Sequence, residues 1–160
     1  MLKPKHLLLL LCLEFVTYHD VYAQKYIQIS TEKQQESKEI IVYEFFWYGC
    51  PHCYNLEPTM DRIESGLDKD ARIVKVPVAL RESWLPHAKL YYALKQMNKI
   101  EDVHNLIFEE IHLEENRLNT KDLMVEFLNK NGIDTDEFIE KYDSYGTEAR
   151  VKKSSNLARR

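Results

Sequence analysis

Runs of apolar residues along the first half of the chain alternate between the period of a strand and that of a helix. Residues 40–47 (IIVYEFFW) are β-branched or aromatic apart from Glu44, a pattern typical of a central strand buried on both faces. Residues 73–78 (IVKVPV) form a second such run, and Pro77 places the end of that strand at a sheet edge. Between the two runs, apolar residues recur at helical spacing at Leu56, Met60, Ile63 and Leu67. Strand, helix and strand in this order predict a right-handed βαβ unit with parallel strands.

The helix of this unit is predicted to begin at Cys50, with Pro51 in its first position and Gly66 near its end. Pro58 should kink this helix, because a proline removes one backbone donor. The rest of the chain is predicted to be helical, over residues 84–97, 101–113, a segment from Thr120 closed by Asn131 and Gly132, a segment around 138–142, and 148–160. We expect Trp84 in the core and His87, His104 and His112 on helix surfaces.

The N-terminus has the order of a secretory signal. Lys3 and Lys5 precede an apolar run over residues 7–13, and small residues follow up to a predicted cleavage after Ala23. The run is shorter than the roughly 20 residues that a membrane span needs. The alternatives are a buried N-terminal helix and, less favoured, a lipoprotein anchor at Cys12. After this signal peptide (1–23), a short strand is predicted over residues 26–29 and a polar loop over residues 30–38.

Composition narrows the class of protein. The 160 residues suffice for one buried core, and the scarcity of Gly (4) and Pro (5) argues against a turn-rich or disordered chain. A formal charge of -4 gives no cationic face for phosphates, so we expect no nucleic-acid partner. An exported chain meets an oxidising compartment, and after removal of the signal only Cys50 and Cys53 would remain as cysteines.

Cys50 and Cys53 lie one helical turn apart, so their side chains can form a short redox-active disulfide. Cys50, at the helix start, faces unpaired backbone N–H groups and the positive end of the helix dipole, which favour a thiolate. His52 can add positive charge or a hydrogen bond, and Pro51 loses no hydrogen bond at this position. A stabilised thiolate is a good leaving group, which makes the disulfide a strong oxidant.

Other uses of the two cysteines are less favoured. A zinc site needs four ligands, and no second cysteine pair or finger-like histidine spacing is present, so we expect no metal. Haem attachment needs a histidine directly after the second cysteine, where Tyr54 stands. An inert structural disulfide stays open as a weaker alternative.

Glu44 interrupts an otherwise apolar strand six residues before Cys50. Burial of a carboxylate is costly unless the group is paired or transfers protons, and Lys75 in the neighbouring strand is the candidate partner. The alternative is that Glu44 faces solvent on an edge strand.

The stretch from Glu44 to Tyr54 (EFFWYGCPHCY) resembles the active-site segment of the DsbA family of bacterial periplasmic thiol:disulfide interchange proteins, and the Pro-His dipeptide between the cysteines matches that family. The resemblance continues through residues 74–78, through Trp84, residues 91–93 and residues 108–112. It implies an α/β, thioredoxin-like fold with an inserted helical domain. The implied divisions are residues 24–80 for the thioredoxin-like N-terminal part, 81–145 for the helical insertion and 146–160 for the start of the returning helix.

The resemblance also implies the roles of the site residues. Cys50 would be the exposed reactive cysteine, Cys53 its buried partner and His52 the thiolate stabiliser, with Glu44 and Lys75 as a buried charge pair beneath the disulfide. The implied activity is donation of the disulfide to newly exported, unfolded Cys-containing proteins in the periplasm. A DsbB-type membrane partner linked to quinone would re-oxidise the pair. We expect a monomer that needs no cofactor.

The family pattern continues beyond Arg160 with a cis-proline loop, an antiparallel strand pair and a closing helix, which this sequence lacks. We therefore expect a C-terminally truncated chain with an uncovered sheet edge and low stability. A cooperative thermal melt together with normal oxidase turnover would refute this expectation. The alternatives to an oxidase are a catalytically impaired remnant that binds unfolded chains, and a thiol reductase or isomerase.

Overall fold

The computed structural model of the chain describes residues 39–159. The predicted signal peptide with its cleavage after Ala23, the strand at 26–29 and the loop at 30–38 lie outside the described residues. The described elements are β1 (Ile40–Phe46), α1 (Pro51–Ser65), β2 (Ala71–Pro77), a 3-10 turn (Glu82–Trp84), α2 (Leu85–Gln96), α3 (Ile100–His112), α4 (Lys121–Lys130), α5 (Thr135–Tyr142) and α6 (Tyr145–Leu157). The order of strands and helices agrees with the sequence-based prediction.

The two strands pair in parallel, as predicted for a βαβ unit. Their register sets Glu44 opposite Lys75 and Phe46 opposite Pro77, and paired residues of parallel strands project from the same face. The expectation that β1 is buried on both faces is wrong. Glu44 and Phe46 are buried, whereas Tyr43 and Phe45, on the other face, are 47% and 44% exposed. Within the described residues the sheet has two strands. On its second face the β1 side chains are exposed, whereas Val76 of β2, which pairs with Phe45, is 4% exposed.

The helix ends follow local sequence signals. The Thr120 side chain accepts a hydrogen bond from the Leu123 N–H and caps α4, as predicted. Gly132 follows this helix with a φ of 71°, a left-handed conformation that glycine adopts without strain. The last helix begins at Tyr145, earlier than predicted, because the Ser144 hydroxyl caps it by accepting from Thr147 N–H.

One apolar core joins the end of β1 to the helices that follow β2. Its largest fully buried side chains are Phe46, Tyr48, Leu90, Tyr91, Leu94, Val103, Ile107, Phe108, Leu118, Met124, Leu128 and Phe138. The prediction of a core position for Trp84 is wrong, because its ring is only half-buried and stacks on Trp47. No helix in residues 39–159 combines the length and the apolar character that a membrane crossing requires.

The predicted inward stripe of α1 is only partly right. Met60 is buried, but Leu56 and Ile63 are more than 40% exposed. Glu57 is buried instead, so that the inward face carries a carboxylate one turn after Cys53. The helix continues through Pro58 without interruption. The predicted kink at Pro58 and the predicted domain divisions at residues 80 and 145 stay predictions.

Candidate active site

A tight turn connects β1 to α1 and delivers Cys50 to the helix start. The Cys50 N–H donates to the Trp47 carbonyl over 2.9 Å, which closes the turn. A Cβ at Gly49 would collide with the Trp47 ring, so this position requires glycine. Cys50 is the N-cap residue of α1 with extended backbone dihedrals, and Pro51 occupies the first turn. The sequence therefore places the first sulfur at the positive end of the helix dipole.

The two sulfurs lie in different electrostatic surroundings, and both cysteines are free thiols in the structure. Partial burial opposes ionisation of Cys50, but the backbone N–H groups of Cys53 and His52 and the Cys53 thiol outweigh it and lower the Cys50 pKa. Burial raises the pKa of Cys53 to about 11, and interaction with Cys50 adds to that increase. A thiolate is thus favoured on Cys50 and disfavoured on Cys53.

His52 and Pro51 are both exposed. The contribution of His52 that the structure shows comes from its backbone N–H group, which favours the Cys50 thiolate. The thiolate-stabilising role of the His52 imidazole stays a prediction.

Glu44 lies inside the protein rather than at a solvent-facing edge, with 7% of its surface exposed. The Lys75 Nζ lies 3.3 Å from Glu44 Oε2 and donates a shorter, 2.7 Å hydrogen bond to Glu57 Oε2. Burial raises the pKa of Glu44 to about 7, because Lys75 only partly offsets it and Glu57 repels the second charge. Lys75 therefore pairs with two carboxylates. The closer one, Glu57, was not predicted from the sequence.

Glu57 and His104 are site residues that the sequence analysis missed. His104 Nε2 lies 3.3 Å from Glu57 Oε2, and His104 Nδ1 lies 2.7 Å from the Tyr48 hydroxyl. Burial favours the neutral acid, but the contacts with His104 and Lys75 outweigh it and lower the pKa of Glu57 to about 2. The spacing of Glu57 from Cys53, four residues on the same helix face, was the available signal.

The expectation that three histidines lie on helix surfaces is wrong. His87 and His104 are 5% and 6% exposed, and His112 is half-buried. His87 donates from Nε2 to the Arg117 carbonyl over 2.8 Å, and burial lowers the pKa of His87. His112 stacks on the Tyr54 ring at 5.0 Å. All three rings therefore pack against aromatic side chains of the segment that carries the cysteines: His87 against Trp47, His104 against Tyr48 and His112 against Tyr54.

Across residues 39–159, no group of three or more His, Cys, Asp or Glu side chains converges in a way that could hold an ion. Glu44 and Glu57 both lie beside Lys75, and Glu57 also contacts the His104 ring.

A parallel βαβ unit with two cysteines at the start of its helix, followed by helices, defines a thioredoxin-like fold bearing a dithiol. The sequence profile of the DSBA-like thioredoxin domain family matches residues 41–160. The chain belongs to this family.

Named relatives support that assignment. The chain is 35% identical over 136 residues to the thiol:disulfide interchange protein DsbA of Pseudomonas aeruginosa, covering 84% of this chain and 64% of the relative. It is 39% identical over 119 residues to the DsbA of Burkholderia cepacia, covering 74% of this chain and 56% of the relative. The chain thus spans less than two thirds of the length of these relatives.

Solved structures show the same fold. The crystal structure of Pseudomonas aeruginosa DsbA superposes with a TM-score of 0.72 at 36% identity, covering 80% of this chain and 66% of that chain. That of the oxidoreductase DsbA from Xylella fastidiosa superposes with a TM-score of 0.71 at 26% identity, covering 76% of this chain and 67% of that chain.

Proposed function

We propose that the protein is a thiol:disulfide oxidoreductase that donates a Cys50–Cys53 disulfide to exported proteins. The observation that carries this proposal is the opposite displacement of the two thiol pKa values, downward for Cys50 and upward to about 11 for Cys53. A dithiol in which one sulfur is stabilised as a thiolate favours the reduced state, so its disulfide oxidises other thiols. The relatives named as thiol:disulfide interchange proteins support the same activity.

The proposed exchange has two steps. A substrate thiolate attacks Cys50 Sγ of the disulfide, the Cys50–Cys53 bond breaks, and its electron pair stays on Cys53, which takes a proton because its pKa is high. A second substrate thiolate attacks the substrate sulfur of the mixed disulfide, and Cys50 leaves as a thiolate. The substrate loses two electrons and the cysteine pair gains two.

The buried charges have a proposed role in the first step. Glu44 has a pKa near 7 and disfavours the Cys53 thiolate, so it can exchange a proton at neutral pH while Cys53 becomes protonated. Lys75 would keep the site close to neutral by pairing with the ionised Glu57. When Glu44 is ionised, it and Lys75 would form the charge pair beneath the disulfide, with Glu57 as the second partner of Lys75.

The proposed setting is the periplasm, reached by an N-terminal signal peptide cleaved after Ala23. The substrates would be unfolded, newly exported proteins with cysteines, and a DsbB-type quinone-linked membrane oxidase would restore the disulfide. The protein would act as a monomer without a cofactor. N-terminal sequencing of the exported protein tests the cleavage.

Trapping of the mixed disulfide tests the chemistry without requiring turnover. A Cys53→Ser variant, treated with a single-cysteine model peptide activated as its mixed disulfide with thionitrobenzoate, should accumulate the Cys50–peptide disulfide and release thionitrobenzoate, whereas Cys50→Ser should not. The oxidised wild type should oxidise a reduced dithiol peptide faster than its reduced form reduces insulin. Faster insulin reduction would instead indicate the reductase or isomerase. No trapped species at Cys50 would contradict redox activity.

A second candidate is an impaired protein that binds unfolded chains. The exposed apolar side chains Tyr43 and Phe45 on one face of β1 favour it. Binding of a cysteine-free unfolded protein, with no mixed disulfide in the trapping experiment, would support this alternative over the oxidase.

A further inference from the structure

Three aromatic residues of α3 line the turn that carries the cysteines: His104, Phe108 and His112, spaced four residues apart, which we call the α3 clamp. Such spacing places their side chains on one helix face. The Phe108 ring packs against Tyr48 at 4.8 Å and against Tyr54 at 6.0 Å. The clamp therefore contacts the chain on both sides of the cysteine pair.

The clamp holds Tyr48 at both of its ends. Tyr48 is fully buried and stands two residues before Cys50. Its hydroxyl lies 2.7 Å from His104 Nδ1, and its carbonyl lies 2.8 Å from His112 Nε2. Because a carbonyl only accepts, His112 Nε2 carries the hydrogen and donates it. The same imidazole stacks on Tyr54, the residue after Cys53, with ring planes 5° apart.

The carbonyl that His112 binds belongs to the central peptide of the turn from Trp47 to Cys50. The two common forms of such a turn differ by a flip of this peptide, and the flipped form needs a left-handed residue at the third position. That position is Gly49. A side chain there would collide with the Trp47 ring, and the backbone of Gly49 lies outside the left-handed region in the structure. Glycine alone would permit the flip, so the turn needs an outside restraint.

We propose that His112 is a positioning residue for the redox site: its hydrogen bond to the Tyr48 carbonyl fixes the peptide before Cys50 and keeps the Cys50 sulfur at the start of α1. The inference rests on the proposed function, since it concerns the same thiolate. A flip of the Tyr48–Gly49 peptide would turn the Tyr48 carbonyl away from His112 and reverse a peptide dipole next to Cys50, while the flanking Cα atoms stay nearly in place. The turn would then lose its hydrogen bond to α3, and the Cys50 sulfur would be held less well against the N–H groups of His52 and Cys53.

Two substitutions separate the hydrogen bond from the ring. His112→Phe keeps an aromatic ring against Tyr54 but has no donor, whereas His112→Gln keeps an amide donor without the ring. The readout is the pH profile of iodoacetamide alkylation at Cys50 in the full chain, followed by mass spectrometry of the Cys50 peptide. Leu106→Ala, on the exposed side of α3, is the matched control.

The expected result is a midpoint for His112→Phe about one pH unit above that of the wild type, which is about tenfold less thiolate in acid. His112→Gln and Leu106→Ala should stay close to the wild type. An unchanged midpoint in His112→Phe, or equal shifts in His112→Phe and His112→Gln, would overturn the inference. An ordinary thiol profile in the wild type itself would instead count against the proposed function.

A measurement on the unmodified chain guards against a variant that does not fold. Nitrogen NMR of the neutral His112 ring should show the hydrogen on Nε2. A neutral ring with its hydrogen on Nδ1 would overturn the inference, because Nε2 could not then donate to the carbonyl.

Discussion

Phe45 and Phe46 are consecutive residues of one strand, yet they meet opposite surroundings. Phe46 is 2% exposed and packs edge-on against Tyr48 and Tyr91, whereas Phe45 is 44% exposed. The face of Phe46 also carries the buried Glu44 and the largely buried Lys75, and rings of α2 and α3 pack against Phe46. On β1, burial is therefore concentrated on the face that also carries the charges near the cysteine pair.

The largest expected difference is between alanine substitutions at these two phenylalanines. Phe46→Ala should lower the free energy of unfolding by about 4 kcal/mol, because it leaves a cavity in a packed core. Phe45→Ala should cost less than about 1 kcal/mol, because 44% of the residue is already exposed to water and its removal opens no enclosed cavity. Denaturant unfolding of the two variants measures both values. Equal losses would show that the second face is covered in solution.

The two basic residues of β2 give a second comparison. Lys75→Met leaves the buried Glu57 and Glu44 without their cation and should cost about 3 kcal/mol, since an unpaired buried charge is strongly destabilising. Arg72→Met removes only an exposed contact with Glu39 and should cost less than about 1 kcal/mol. Denaturant unfolding of both variants at pH 7 tests this pair. An unchanged free energy of unfolding in Lys75→Met would show that the carboxylates find other partners.

The two buried carboxylates should give stability profiles of opposite slope. The pKa of Glu44 is raised from 4.5 to about 7, so the native state binds the extra proton and stability falls as pH rises between these values. The pKa of Glu57 is lowered to about 2, so its contribution is present above pH 4.5 and is lost as pH falls toward 2.

The total change in the free energy of unfolding across each pH range should be about 3 kcal/mol, measured by denaturant unfolding as a function of pH. Glu44→Gln should flatten the decline between pH 4.5 and 7, and Glu57→Gln should flatten the loss in acid. A decline that persists unchanged in Glu44→Gln would assign it to another group.

The smallest expected effect is at the exposed face. Tyr43→Ser should change the free energy of unfolding by about 0.5 kcal/mol or less, because the ring is 47% exposed. It should nevertheless reduce binding of the dye ANS, which reports exposed apolar surface. Undiminished dye binding would place the apolar surface elsewhere in the chain.

Local signals predicted much of the fold. The β-branched run before Cys50 and the proline at position 51 determine a strand followed by a helix through contacts between near neighbours, so a single sequence reveals them. Thr120 and Gly132 mark helix ends for the same reason. The spacing of Cys50 and Cys53 predicted that the two sulfurs lie one helical turn apart, and the stretch from Glu44 to Tyr54 with its Pro-His dipeptide carried the resemblance to the family.

Long-range polar contacts could not be predicted in this way. Tyr48 and His104 are 56 residues apart in the chain, and their hydrogen bond exists only once α3 has packed against the turn. Helical periodicity assigns a charged or polar side chain to solvent, so the three helix histidines were misplaced and Glu57 was missed. A polar residue on an apolar helix face can be buried because it has a hydrogen-bond partner elsewhere in the chain, and helical periodicity does not reveal that partner.

Cys50 occupies the helix position that serine, threonine or aspartate usually fills, and its side chain makes no close capping hydrogen bond. The first backbone N–H groups of α1 therefore face the Cys50 sulfur, and the charge of this sulfur depends on its oxidation state. Reduction supplies an anion to these amides and oxidation withdraws it. Deuterium uptake at the beginning of α1 should consequently be slower in the dithiol form than in the disulfide form, so that fraying of this helix end reports electron transfer.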